Sequence, residues 1–305
     1  MNNKSLSIII VNYNTFDLTC NCIGSVRKST RNIDYEIIIV DNSSTNCDPD
    51  GFLRQYPEVK LIKSQVNLGY AKGNNLGISQ SSGDTILILN SDIVLKDDAI
   101  QYCHDRLKND EKIGVISPKL VSPDGSLQFS ANRFPSIKKE LIELFRLQKF
   151  DSTGTWLLGP FFDHNKEVSV DYVWGAFFMI RRKVIDSLPE RKLPDSFFMY
   201  HEDVEWCWNI KQLGLEIIFT PFREVIHLGR GSAIEQIGMH EELIRLVQKN
   251  QASFYSKVNG AIKTYILYLI KYLNCIFQSD TSLRGNAKYY GELLRNGLSV
   301  IRQNE

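Results

Sequence analysis

Five side chains able to do chemistry stand at four distant places in the 305-residue chain: Asp41, Asp92, the adjacent Glu202 and Asp203, and His227. Carboxylates and a neutral imidazole can hold a divalent cation. A cation held in this way neutralises charge on a departing phosphate group. A carboxylate in apolar surroundings keeps its proton longer than usual and suits a general base.

Each of the five also has a plainer reading. Asp92 ends ILILNSD and precedes the apolar IVL, which would fix its carboxylate at a sheet edge; Asn-Ser-Asp is equally good turn chemistry. Asp41 leaves the run IIIVDNSS, where it could accept the ring N–H of a pyrimidine. A turn, or a helix cap at Ser43 or Ser44, explains the same residues. Glu202 and Asp203 lie in FFMYHEDVEWCW, where an aromatic run meets a helix start. One of them could face an acceptor, with Glu205 pointing elsewhere, or the acids could simply complement the helix dipole. His227, in VIHLGRGS, could complete a cation's coordination beside Asp92 or be a packed core histidine. His104, His164, His201 and His240 have no comparable context.

Two further segments could shape a binding site. NLGYAKGNNLGI spaces Gly69, Gly73 and Gly77 four apart at a helix start and along one face. Small residues there permit close approach of a phosphate or close packing of helix on strand. Trp174-Gly175-Ala176, ahead of FFMIRR, could wall an acceptor, with Arg181 or Arg182 near phosphate; core packing accounts for the aromatics as well.

The elements that must position these residues follow from periodicity. Continuous apolar runs at 6–11, 36–40, 59–62 and 85–89 alternate with helical patterns at 16–29, 69–81 and 97–107. That alternation predicts an α/β fold, a mainly parallel sheet with helices on both faces. Ligands then gather at the carboxyl ends of the strands. The exits there are Asn12-Tyr13-Asn14, Asp41-Asn42-Ser43-Ser44 and Asn90-Ser91-Asp92. Residues 126–134 and 137–150 are expected to form a loop and a helix over the site. Strand or helix signals return at 176–181, 203–213, 216–220 and 224–227. From about Met239 the pattern is helical, which sets two expected domains, 1–235 and 236–305. Ile262–Phe277 carries an apolar stripe edged by Lys257, Lys263 and Lys271. It fits an interfacial membrane helix, with 257–278 as the contact, or a helix docked on its own domain.

Composition narrows the classes. Hydrophobic residues make up 43%, with 16 Phe and 13 Tyr, enough for an enzyme-sized core. Net charge is +1, so no global basic field for nucleic acid exists. The six cysteines form no CxxC pair, and no apolar run reaches the roughly 18 residues of a membrane span. Scattered thiols and no signal-like N-terminus lead to a cytoplasmic expectation, peripheral at the inner face of the plasma membrane if the tail helix binds lipid.

Taken in order, SIIIVNYN, IIIVDNSS, NLGYAKGNN, LILNSDIVL, WGAFFMIRR, FFMYHEDVEWCWNIKQLG and VIHLGRGS resemble the family 2 glycosyltransferases of the GT-A fold, bacterial rhamnosyltransferase-like branch. The resemblance covers roughly residues 5 to 232. It implies an inverting transfer of a sugar, rhamnose among the candidates, from a dTDP- or UDP-linked donor to a hydroxyl of a glycan or polyprenyl-linked glycan. Such a step belongs to bacterial surface polysaccharide synthesis. It further implies Asp203 as base with Glu202 beside it, and Mn2+ or Mg2+ held by Asp92 and His227. Donor contacts are expected from Asn12, Asn14, Asp41, Asn67, Gly69, Asn75 and Asn90, and acceptor contacts from Trp174 and Gly175. Asn90 stands where the family's Asp-x-Asp motif has its first aspartate, which throws more weight on Asp92. The alternatives are a sugar nucleotidyltransferase, which would have a Gly-rich, Arg-containing loop after the first strand, and a non-catalytic nucleotide-sugar-binding or scaffold protein. A dehydrogenase would need a GxGxxG after a strand, and the chain has none.

Overall fold

The computed structural model describes residues 4–229, 240–277 and 281–295. The expected boundary near 235, the end of the Gly-rich loop at residues 230–232 and residue 278 of the tail segment lie outside them.

Strands β1 (Leu6–Asn12), β2 (Tyr35–Asp41) and β4 (Thr85–Leu89) are apolar without alternation because both their faces are covered. Ile8 and Ile10 join a core with Cys20, Cys22, Ile23 and Val26 of α1 (Phe16–Ser29) and Ile100, Cys103 and Leu107 of α4 (Ala99–Asn109). The alternate residues Ile9 and Val11 face α3 (Tyr70–Ser79) instead. There a Cβ on Gly77 would stand 2.4 Å from Ile9 Cγ2, and one on Gly73 would stand 3.2 Å from the Val11 methyls. Those two glycines therefore serve close helix-on-strand packing.

The expected parallel sheet is the half ordered β3 (Lys60–Lys63), β2, β1, β4. Beyond β4 the sheet is mixed. β8 (Phe177–Arg181) runs antiparallel to β4 and to β6 (Ile113–Val121), and β6 pairs in parallel with β9 (Glu216–His227). β5 (Ile93–Leu95) and β7 (Val168–Val170) both pair antiparallel with β9. β6 carries no clear strand signal, because Ser117, Pro118 and Lys119 interrupt its apolar run. Its register shifts between Pro118 and Lys119, which accommodates the missing N–H of the proline. β9 is a single strand where two were expected. Short helices α2 (Gly51–Gln55) and α6 (Arg182–Asp186) complete the connections.

Internal contacts divide the chain into two compact units: residues 1–132 with 164–238, and residues 133–163 with 239–305. The sheet belongs to the first. The second contains α5 (Ile137–Leu144), α8 (His240–Asn259), α9 (Ala261–Phe277) and α10 (Thr281–Arg295). The helix expected over 137–150 stops at Leu144, and Leu147–Phe150 is a 3-10 turn. Ala252, Tyr268, Cys275 and Tyr290 form this unit's core. Lys271, expected at the edge of the apolar stripe, is half-buried and forms an ion pair with the buried Glu140 at 3.2 Å. Burial by itself would lower the Lys271 ammonium, but Glu140 holds it above its ordinary value. Among the described residues no helix is long and apolar enough to cross a membrane, and all six cysteines are free.

Candidate active site

The parallel strands deliver their polar ends side by side. Asn12 and Asp41 are register partners at the exits of β1 and β2. Asn12 Nδ2 donates to Asp41 Oδ1 at 2.8 Å, and Ser44 N donates to Asp41 Oδ2 at 3.1 Å. The Asp41 carboxylate is therefore buried and fixed, with lone pairs left for a further donor. Asn14, in the left-handed region at φ 58°, holds the loop after β2: its Oδ1 accepts from Thr45 N at 2.8 Å. Asn42 Nδ2 donates to Asn67 Oδ1 at 2.9 Å and to Gly69 O at 3.1 Å. Gly69, at φ 78°, is required as glycine, since a Cβ would stand 2.2 Å from Phe198 O.

The exit of β4 joins this edge through Thr15. Its hydroxyl lies 3.1 Å from both Asn12 Oδ1 and Ser91 Oγ. Beyond Ser91, Asp92 is buried, with Oδ1 3.4 Å from His227 Nε2. Antiparallel pairing of β5 with β9, Ile93 opposite His227, makes that approach.

Gln128 sets the imidazole. Its Nε2 donates to the His227 carbonyl at 2.9 Å and to Ser122 Oγ at 3.2 Å, so its Oε1 faces His227 Nδ1 at 2.7 Å. An amide oxygen only accepts, so Nδ1 carries a proton, and Nε2 is the ring nitrogen turned toward Asp92 and Asn90 Nδ2, the latter at 3.4 Å. Among the described residues no group of three His, Cys, Asp or Glu side chains could hold a metal. Asp92 and His227 could supply two ligands to a divalent cation: one carboxylate oxygen and one oriented imidazole nitrogen, close together and largely buried.

The second half of the site is the start of α7 (Glu202–Gln212). Tyr200 and His201, just before it, both have positive φ (65° and 79°), a local strain of the kind held at functional sites. Asp203 is partly exposed and Glu202 is buried. Asp203 Oδ2 accepts from Gly175 N at 3.1 Å, and Oδ1 from Val204 N at 2.8 Å. Burial pushes the Asp203 carboxyl up to about 6 in spite of those donors. Burial, with Asp203 and Glu205 nearby, pushes Glu202 up to about 8, and its Oε2 has no hydrogen-bond partner among the described residues.

Tyr70 ties the halves together. Its hydroxyl lies 2.6 Å from Asn90 Oδ1 and 2.9 Å from Gly175 O. Its ring stacks on Trp206 with centroids 6.1 Å apart. Burial first, then the charges of Glu202, Asp203 and Asp92, hold its hydroxyl well above the ordinary range and therefore protonated. A continuous polar path thus runs from Asp203 through Gly175, Tyr70 and Asn90 to His227 and Asp92.

Not every expected residue joins this path. Asn75 spends both ends of its amide on the Leu193 backbone, at 2.8 and 3.1 Å. Trp174 is half-buried and packs on the main core. The arginine expectation is corrected: Arg181 is opposite Thr85, at the start of β4 and the far end from these exits. Its guanidinium donates to backbone carbonyls, including Ile113 O at 2.5 Å, while Arg182 holds Gly83 O at 2.6 Å. Tyr70 and Gln128 were not singled out from sequence. Tyr70 stood inside the quoted NLGYAKGNN segment, whereas Gln128 sits in a loop with no local signal.

The class of fold this describes is GT-A: a parallel half-sheet with polar exits, a mixed half, and a helix-borne carboxylate beside them. The chain is similar to a crystal structure of GalNAc-T7 with UDP, GalNAc and Mn2+, at TM-score 0.57 and 16% identity, over 98% of this chain and 58% of that one. Residues 7–188 match the family model described as Glycosyl transferase family 2, and the chain belongs to that family. It is similar to the low-salt glycan biosynthesis hexosyltransferase Agl10 of Haloferax volcanii, 28% identical over 73% of this chain and 66% of that protein. It is also similar to the N-acetylglucosaminyl-diphospho-decaprenol L-rhamnosyltransferase of Mycobacterium tuberculosis, 25% identical over 63% and 66%. The chain thus spans about two thirds of the length of these curated relatives.

Proposed function

We propose that this chain transfers a sugar from a nucleotide diphosphate donor to an acceptor hydroxyl with inversion, using Asp203 as the base. The observation that carries the reading is the polar path linking Asp203 to Asp92 and His227. The partial exposure of Asp203 against the burial of Glu202 supports Asp203 as the residue an acceptor reaches.

In this reading Asp41 accepts from the base of a pyrimidine nucleotide, with Asn12 fixing its orientation. Asn14, Asn67 and Gly69 shape the loops around the donor, and Asn75 supports them from Leu193. Asp92 and His227 would hold a divalent cation, which when bound neutralises charge on the leaving diphosphate; the Mn2+ in the GalNAc-T7 structure agrees with this. Asn90 and the Tyr70 hydroxyl add fixed dipoles to the same region. Asp203 takes the proton of the acceptor hydroxyl, and Gly175 N–H holds the carboxylate in place with Trp174 beside it. One base and no covalent nucleophile give inversion at the anomeric carbon.

The rhamnosyltransferase and hexosyltransferase relatives favour dTDP-rhamnose or a UDP-hexose as donor, and a glycan or polyprenyl-linked glycan as acceptor, in surface polysaccharide synthesis. The place of such work is the cytoplasmic side of the membrane, and the catalytic body is the sheet unit, residues 1–132 with 164–238. The test is incubation with each donor, Mn2+ and a lipid-linked acceptor, with nucleoside diphosphate release and the anomeric configuration of the product as readouts. An inverted product, lost on chelation, is expected. A retained configuration, or no binding of any nucleotide sugar, would overturn the reading.

A further inference from the structure

We propose that the second unit docks on an anionic lipid surface through the outward face of α9. A helix in a water-soluble body normally has one apolar stripe, turned inward. α9 has two. Thr264, Leu267, Tyr268, Asn274 and Cys275 are buried. On the other side Ile262, Tyr265, Ile266, Leu269, Ile276 and Phe277 keep 39 to 79% of their surface exposed. Those six follow helical spacing, so they form a continuous apolar strip along the helix.

Charge decides what covers the strip. Residues 261–277 include no Asp or Glu, and the exposed Lys263 lies at its start, with exposed Lys257 one turn earlier on α8. The same unit exposes Phe145, Leu147 and Phe150, interleaved with exposed Arg146 and Lys149. Residues 133–163 and 239–305 together hold 14 Lys and Arg against 9 Asp and Glu, while the rest of the chain holds 22 against 26. The excess of positive charge therefore falls in the unit that carries the strip. Pairing two such surfaces would set like charges together, whereas an anionic bilayer offers both apolar depth and opposite charge. Aromatic side chains with lysines at the margin suit the headgroup boundary, where a lysine stem lies on apolar surface and its ammonium reaches phosphate. Because α9 does not qualify as a membrane span, it lies in the plane of the surface.

This inference goes beyond the proposed reaction and is read without substrate. The full chain is sedimented with vesicles of phosphatidylcholine, and of phosphatidylcholine with one third phosphatidylglycerol, beside an Ile266→Glu/Leu269→Glu variant and a Lys257→Glu/Lys263→Glu variant. Melting curves equal to the parent's establish that the surface variants are folded, and analytical ultracentrifugation measures self-association. The parent is expected to bind the anionic vesicles at least tenfold more tightly than the neutral ones, with binding weakened by salt. Each variant is expected to lose at least tenfold. Equal binding to both vesicles, no binding to either, or unchanged binding by folded variants would overturn the proposal. So would a dimer abolished by Ile266→Glu/Leu269→Glu in a chain that leaves vesicles in solution.

Discussion

Gln128 fixes which nitrogen of His227 is protonated, and a ligand nitrogen is only as good as its orientation. Removing the amide should cost about 10-fold in cation affinity. Titration of Mn2+ into parent and Gln128→Ala, followed by paramagnetic resonance of the free ion, measures it. Equal affinities would show that the imidazole is held by β9 alone. Asp203 makes a separate, pH-based prediction. Its carboxyl is pushed up to about 6, and only the ionised form accepts a proton. Turnover should therefore rise with pH through about 6 and level off above it, with kcat/KM as the readout. A limb centred near 4 would mean that burial does not govern this group. Since the folded-state value is raised above the unfolded one, the same ionisation opposes folding as pH rises through that window.

At the scale of elements, α3 shows what the glycine spacing is for. Gly69 shapes the loop before the helix, while Gly73 and Gly77 let the helix lie on β1 and β2. Gly77→Ala must displace Ile9, which is buried in mid-strand, and should destabilise the protein by about 1–3 kcal/mol. Urea denaturation measures the change; a neutral result would mean the helix shifts without cost. The strands that could be recognised in the sequence were those with short apolar runs, β1, β2, β3, β4, β8 and the two halves of β9, and the polar exits of β1, β2 and β4 came with them. β6 was hidden because Ser117, Pro118 and Lys119 break its run, and β5 because three residues carry too little pattern. Gln128 was invisible for a different reason. Its partner is 99 residues away, and nothing local to the loop reports that contact.

At the scale of the molecule, two distant stretches build the second unit, and Glu140 with Lys271 joins them inside it. Glu140→Ala leaves the half-buried Lys271 ammonium without its carboxylate and should cost about 2–4 kcal/mol, read from chemical denaturation. A cost below 1 kcal/mol would mean that water reaches Lys271. The sheet unit poses the larger question, because Asp41, Asp92, Asp203 and His227 meet only through its topology. Their joint arrangement as a transfer site is tested most directly by measuring donor affinity and turnover together in Asp203→Asn. The account predicts at least a 10³-fold loss of kcat, with donor Kd changed by no more than about threefold. Near-parental turnover in that variant would contradict it.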